Sequence, residues 1–579
     1  MTTPPLYRSI LFWIGLCAVA VLALVPHARI ARAFGSVPPV VVSIIEDDRY
    51  YFSRSKEIAD GNFFIGNPYY IEHADDTSPA FFVSDWIAAV PHVFGFSANQ
   101  VGVINLVVWS VIFFLIVLVL LQELGATRRH AIAASLFVFI ALYAPVVRPV
   151  SMQIVFPFFL LFCVMLVRWL KEQSLWRAFA LAAAAAVNFY IYTFSWQIIV
   201  VALAILFLRL ALRKDLTLKK VCHVVIPLLV LSAPAVAYMI HQTNAPFYWE
   251  TMERIGLVAT RLPTAAALLH GVALVAASAL WYLCRKNNNG VTATDQSDKK
   301  YFFVIMTVAL CITALSNIVT AKELELGSHV GRFMDLFSVI IIAVTIPHIA
   351  LVRRRLALNL LLICLIAVTV VFVLRRMSIT RSILSPDIAY NIANQAYAGP
   401  LQWLETEIKN PSVILANADL SEFIPVMTKH YVAFYQTASL QLISNQEQIE
   451  RYLISRPDLI AVDRAMLHDN VRVYAGTGPA IHQYKTHNRF VRMCRALRLN
   501  AVGADCGEYT TAVELLGEKY FADILKTRDA LAANFGAALD RYHIEFLLID
   551  TKRDPQFASA KFFPVIKYND GRFIIRVRN

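Results

Sequence analysis

The chain is 579 residues long, 58% of them hydrophobic and 16% charged, with a mean hydropathy of +0.57. That balance excludes an ordinary soluble enzyme and calls for a polytopic membrane protein. The formal net charge of +13 reads as a topology signal, with no nucleic-acid partner expected, because the cations cluster in short connections between apolar runs.

The first apolar run, residues 10–31, is longer than the hydrophobic stretch of a secretory signal. The ARIARAFG after it offers only a loose small-residue site, so the run reads as a retained anchor. Residues 46–73, EDDRYYFSRSKEIADGNFFIGNPYYIEH, then form a dense polar and aromatic segment. Ten further apolar runs follow near 101–121, 131–147, 153–170, 178–194, 197–212, 221–241, 264–283, 301–320, 334–351 and 356–374. At roughly 20 apolar residues per span, about eleven transmembrane helices are expected. Residues 285–300, RKNNNGVTATDQSDKK, have no apolar face and read as a flexible cytoplasmic loop.

With the N-terminus inside, one set of connections holds Arg128 and Arg129, then Arg168, Lys171 and Arg177, then Arg213, Lys214, Lys219 and Lys220, and later Arg353, Arg354 and Arg355. The positive-inside rule makes that set cytoplasmic. The first outer loop, 32–100, and everything after Arg375 then lie outside the cytoplasm of a bacterial-type inner (plasma) membrane. Beyond 374 the charge density rises, and strand-like runs from Val413, Glu545 and Arg572 alternate with a helix-like run from Glu508. Two domains are expected: a transmembrane module over 1–374 and a soluble extracytoplasmic α/β domain over 375–579. Cys494 and Cys506 are the only cysteines of the second domain, which predicts a disulfide between them. No metal-ligand spacing, Walker loop or GxGxxG occurs in the sequence.

Asp48-Arg49-Tyr50-Tyr51-Phe52-Ser53-Arg54 places a carboxylate, two aromatics and an arginine at fixed intervals. This resembles the start of the first extracytoplasmic loop in GT-C superfamily membrane glycosyltransferases, particularly the Asp-x-aromatic-aromatic-x-x-Arg segment of oligosaccharyltransferase catalytic subunits. Over the whole chain the resemblance is one of plan: a long first outer loop, a bundle of about eleven spans and a C-terminal domain outside. It implies transfer of a sugar, with inversion, from a polyprenyl-phosphate donor to an envelope glycan, lipid or protein acceptor at the membrane surface. Such chemistry needs a carboxylate to activate a nucleophile, cations for the departing phosphate, and aromatic surfaces for sugar rings. Asp48 is the favoured catalytic carboxylate, with Asp47 beside it, and Asp48 is also placed to cap a helix from Tyr50. Arg332, at the interface end of the tenth span, is the candidate for the leaving phosphate, with His329 and Arg54 assisting. Glu72, His73, Tyr69, Tyr70 and Trp249 are candidate acceptor or sugar contacts, and Glu250, Arg254 and Arg261 candidates for a lid or donor contact.

Oligosaccharyltransferase subunits carry a second acidic motif that helps bind a divalent cation, but the corresponding turn here, RPVSMQ from Arg148, has no carboxylate. No cofactor is therefore expected to be required, and a cation held by Asp47, Asp48 and Glu72 stays open. Two other readings also stay open: a transporter or flippase for a lipid-linked or polar substrate, and a non-catalytic envelope scaffold.

Overall fold

The structure is a computed structural model and describes residues 9–45, 47–285, 293–324, 326–349, 356–503, 506–507, 509–554 and 557–578. Helix α1 (Ile10–Phe34) stops at Gly35, whose left-handed backbone accommodates the closing turn. The short polar α2 (Asp48–Ala59) follows. The bundle continues through α3 (Ala98–Glu123), α4 (Arg128–Ala141), α5 (Ser151–Lys171), α6 (Leu175–Ile191), α7 (Thr193–Leu212) and α8 (Leu218–Thr243). After α9 (Tyr248–Ile255) and strand β1 (Leu257–Ala259) come α10 (Ala265–Arg285), α11 (Ala293–Ala314), strand β2 (Lys322–Leu324), α12 (Leu326–Ile349) and α13 (Leu356–Ile383).

Among the described residues nine helices are long and apolar enough to cross a membrane. Helix α6, at 17 residues, and α4, at 14, stand at the positions of two of the eleven expected spans and fall short of that length. The helices alternate in direction. Glu123 at the end of α3 takes Arg168 (2.8 Å) and Lys171 (2.7 Å) from the end of α5, and Arg209 and Arg213 of α7 lie over Tyr301 of α11. The cation-rich connections thus share one end of the bundle, while the 35–97 segment, the antiparallel β1–β2 pair and the C-terminal domain occupy the other. Helix α13 continues past 374 to Ile383, so the change of composition falls inside a helix, and Arg375 and Arg376 belong to the bundle. Of the loop expected at 285–300, residues 286–292 lie outside the described residues and α11 begins at Ala293; Glu46, Glu508 and Arg353 to Arg355 are also outside them.

The C-terminal domain is built on a mixed five-stranded sheet of order β4-β3-β5-β7-β6. Its elements include β3 (Val413–Leu415), α14 (Ala418–Met427), β4 (Tyr431–Val432), α15 (Asn445–Ile454), α16 (Val471–Ala475), α17 (Tyr484–Ala496), β5 (Ile544–Asp550), β6 (Val565–Asn569) and β7 (Phe573–Val577). Strand β5 is central, parallel to β3 and antiparallel to β7, and its run Leu547-Leu548-Ile549-Asp550 is wholly buried. The strands predicted from 413, 545 and 572 are β3, β5 and β7. Strand β4 is two residues long and β6 mostly exposed, so neither leaves a hydrophobic pattern. Cys494 and Cys506 form the expected disulfide.

The first loop is packed rather than free. Val40, Val41, Tyr69 and Tyr70 share one hydrophobic core with Leu401, Ile414, Phe423 and Val432 of the C-terminal domain. Helix α2 is sandwiched in that seam, and its buried cations are paired: Arg49 with Glu422 across the seam, and Arg54 with Asp85 of the same loop. Pairing is what makes burial of so polar a helix tolerable.

Candidate active site

At the start of α2 two adjacent acids turn in different directions. Asp48 folds back, its Oδ2 accepting from the backbone N–H groups of Ile44 (2.7 Å) and Ile45 (3.0 Å). It is 2% exposed, and burial outweighs those bonds and the charge of Arg49, pushing its carboxyl up to about 7. Asp48 therefore ties down the turn entering the helix instead of capping the helix forward. Asp47 faces a cavity of about 1180 Å³, where Arg148 grips its carboxylate through Nε (3.0 Å) and Nη2. The sequence ranking of the pair is reversed in space: Asp47 lines the cavity and Asp48 does not.

The cavity lies where α2, the turn at Arg148, the break between α6 and α7, the head of α12, the tail of α13 and the C-terminal domain converge. Extended backbone at Tyr192 interrupts the two helices and turns its phenol inward. Its hydroxyl is hydrogen-bonded to His329 Nδ1, and the His329 ring stacks on Phe194 at 4.5 Å, so the imidazole is held in the wall. One turn further along α12, Arg332 reaches the same space, and its Nη1 is buried without a hydrogen-bond partner. Asp335, the nearest acid along that helix, is engaged elsewhere: Oδ2 accepts from Arg376 (2.9 Å) and Oδ1 lies 2.6 Å from His270 Nδ1. Tyr51 sits between the two groups of interest. Arg148 lies 5.7 Å over its ring, and the charge of Arg332 bears on its phenol.

The remaining predicted residues are engaged by other groups of the protein. Arg54 touches the cavity, but Asp85 (2.8 Å), Ser78 Oγ (3.2 Å) and the Phe81 carbonyl (3.3 Å) consume its guanidinium. Glu72 accepts from Arg451 (2.6 Å), and His73 lies between Asp76 (2.6 Å) and Glu447 (3.0 Å). The Tyr69 hydroxyl meets Ser53 (3.0 Å), and that of Tyr70 donates to Gln448 (3.3 Å). These four stand in the seam between the loop and the C-terminal domain, not in the cavity. Trp249 lies outside it under the ammonium of Lys322 (4.6 Å), although its neighbour Tyr248 lines it. Arg254 is buried against the carbonyls of Ser439, Gln441 and Ile443, Arg261 donates to those of Ile318 and Val319, and Glu250 accepts from the Asn445 N–H.

Asp47, Asp48 and Glu72, the carboxylates considered for a cation, are taken by Arg148, by backbone N–H groups and by Arg451, and do not converge. Among the described residues no group of three or more His, Cys, Asp and Glu is disposed to hold a metal ion. Sequence reasoning passed over Arg148 and Arg376. The signal for Arg148 was a lone arginine beside Pro149 in a connection otherwise poor in cations. What the assembly offers chemically is a carboxylate and a guanidinium with an unpartnered Nη1 facing one partly enclosed space, with aromatic rings between them.

No protein-family model matches the chain, and no curated protein matches it in sequence. Among solved structures it is similar to ArnT from Cupriavidus metallidurans in the apo state, with 12% identity over 72% of this chain and 84% of that one, at a TM-score of 0.42.

Proposed function

We propose that the chain is a GT-C-type membrane glycosyltransferase that moves a sugar from a polyprenyl-phosphate donor onto an acceptor at the extracytoplasmic face. The observation that carries this reading is the shared cavity of Asp47 and Arg332, one a carboxylate and the other a guanidinium with a buried, unpartnered Nη1. Arg332 binds the donor phosphate through its planar fork. The acceptor hydroxyl displaces Arg148 from Asp47 and gives its proton to that carboxylate as its oxygen attacks the anomeric carbon. The bond from that carbon to the phosphate oxygen breaks with inversion, and the electron pair leaves on polyprenyl phosphate, stabilised by Arg332. Tyr51 and Tyr248 offer ring faces to the sugar, and the C-terminal domain closes the cavity from above.

Purified protein in lipid nanodiscs, given radiolabelled polyprenyl-phosphate sugars and envelope extract, should transfer label, and Asp47→Asn should not. Absence of transfer with every donor of the panel, from protein that retains its fold, overturns the assignment. A transport reading draws on the buried Asp335, 3% exposed between His270 and Arg376, since ionisable groups inside a bundle mark substrate paths. Uptake of lipid-linked sugar into proteoliposomes without any transfer product is the result that favours it.

A further inference from the structure

Helix α17 is unlike any other in the C-terminal domain. It and the two residues after it, 484–498, carry five cations, Lys485, Arg489, Arg492, Arg495 and Arg498, and no acid. Val491 and Cys494 face inward, and the disulfide to Cys506 fixes the helix to the segment that follows it. Phe490, Met493 and Leu497, spaced three and four apart, form a second apolar stripe that is left outside, 43%, 36% and 61% exposed. An isolated soluble domain has no reason to combine an uncovered apolar stripe with a one-signed charge array; a helix lying in a membrane surface has both.

Its height on the molecule agrees. Arg489 donates to the Leu262 carbonyl (3.3 Å) and pairs with Glu323 of β2 (3.2 Å). Leu262 lies just before Ala265, where α10 enters the bundle with Leu268, Leu269 and Val272 exposed along its outer side. An open groove of about 650 Å³ separates α17 from the Leu257–Leu262 segment, with Phe490 and Met493 on one wall and Leu257, Val258 and Leu262 on the other. Helix α17 therefore lies at the level where this spanning helix enters the bundle.

From this placement we infer that α17 is an interfacial helix: Phe490, Met493 and Leu497 sit among the acyl chains at the headgroup boundary of the leaflet on the side of the C-terminal domain, and its cations other than the Glu323-paired Arg489 engage anionic lipid phosphates. It clamps that domain to the membrane beside the cavity. This placement holds whether or not the chain transfers sugar.

The test uses the full chain in nanodiscs, with the photocrosslinker p-benzoylphenylalanine placed in turn at Phe490, Met493 and Leu497. Position Leu268 is the lipid-facing control, and Lys526, an exposed residue of the C-terminal domain, the aqueous one. In discs containing phosphatidylglycerol, all three α17 positions should give lipid adducts as Leu268 does, and Lys526 none. Lys485→Gln and Arg498→Gln should each lower the Leu497 adduct by about fivefold, the factor for one cation near an anionic surface, with Leu268 unchanged. Adducts to a second copy of the chain, or none to lipid at the three positions, overturn the inference. Lipid adducts that ignore both substitutions overturn the assignment to anionic headgroups.

Discussion

Two carboxylates one residue apart carry opposite expectations because their surroundings differ. Asp48 is buried against two backbone N–H groups, and its carboxyl is raised to about 7. An acid raised on folding costs stability as pH climbs from its ordinary 3.8 through about 7, since the folded chain must give up a proton it holds more tightly than the unfolded one. Asp48→Asn removes that titration, so thermal melts should show wild type losing ground to the variant between pH 5 and pH 8, with transfer largely retained. Asp47→Asn should instead lower transfer by about 10² to 10⁴-fold, the usual contribution of a general base, with the melting temperature little changed. If Asp48→Asn abolishes transfer and Asp47→Asn spares it, the cavity assignment is wrong. At Arg332 the expected defect is on the donor side: Ala raises the KM for the lipid-linked sugar, and Lys restores only part, because a point charge lacks the bidentate fork. Unchanged donor kinetics in Arg332→Ala would remove it from the site.

At the scale of elements, the seam between the first loop and α15 is an ion network. Arg451 holds Glu72 and Glu447, and Glu447 also meets His73. Burial opposes both charges, yet hydrogen bonding and charge from His73 and Arg451 bring Glu447 down to about 2, while Glu447 and Asp76 raise His73 above its ordinary 6.5. The Glu447 contribution is complete above pH 4.5 and lost as pH falls through about 2; that of His73 is complete below 6.5 and lost as pH rises through its raised value. Protection factors over 67–78, taken against the intrinsic exchange rate at each pH, should therefore be highest between those limits and fall on the alkaline side, and His73→Gln should abolish the alkaline fall. Protection factors flat across that range would show that the apolar seam alone holds the loop. The same seam shows what sequence could and could not reveal. Spans were legible because twenty apolar residues declare themselves locally, as 153–170 against Ser151–Lys171 illustrates. Tyr70 and Glu72 looked like sugar contacts because their partners, Gln448 and Arg451, lie 378 and 379 residues away. Asp47 and Asp48 are equivalent in a string and are separated only by the turn that aims them. Arg332 was legible because a cation entering membrane-type sequence needs a reason wherever it points.

For the whole molecule, everything proposed depends on which side of the membrane the cavity opens. Arg168, Lys171, Arg209 and Arg213 stand at the end of the bundle opposite the cavity, and short connections rich in Lys and Arg stay in the cytoplasm because their translocation is disfavoured. An alkaline phosphatase fused after Asn579 should therefore be active, and one inserted at Asn287 to Asn289 inactive, with a fluorescent protein giving the reverse pattern. Positions 287–289 lie outside the described residues, but they join the ends of α10 and α11 that point away from the cavity, so the two fusions report on opposite faces. The disulfide supplies a second readout: Cys494 and Cys506 should resist alkylation in intact membranes until a reductant is added, as a bridge held in an oxidising compartment does. Activity reversed at both fusion points would turn the cavity toward the cytoplasm. Asp47 and Arg332 would still face one another across it, but the acceptor would then have to be a cytoplasmic molecule, and the cation-rich loops would stand on the far side against the charge rule.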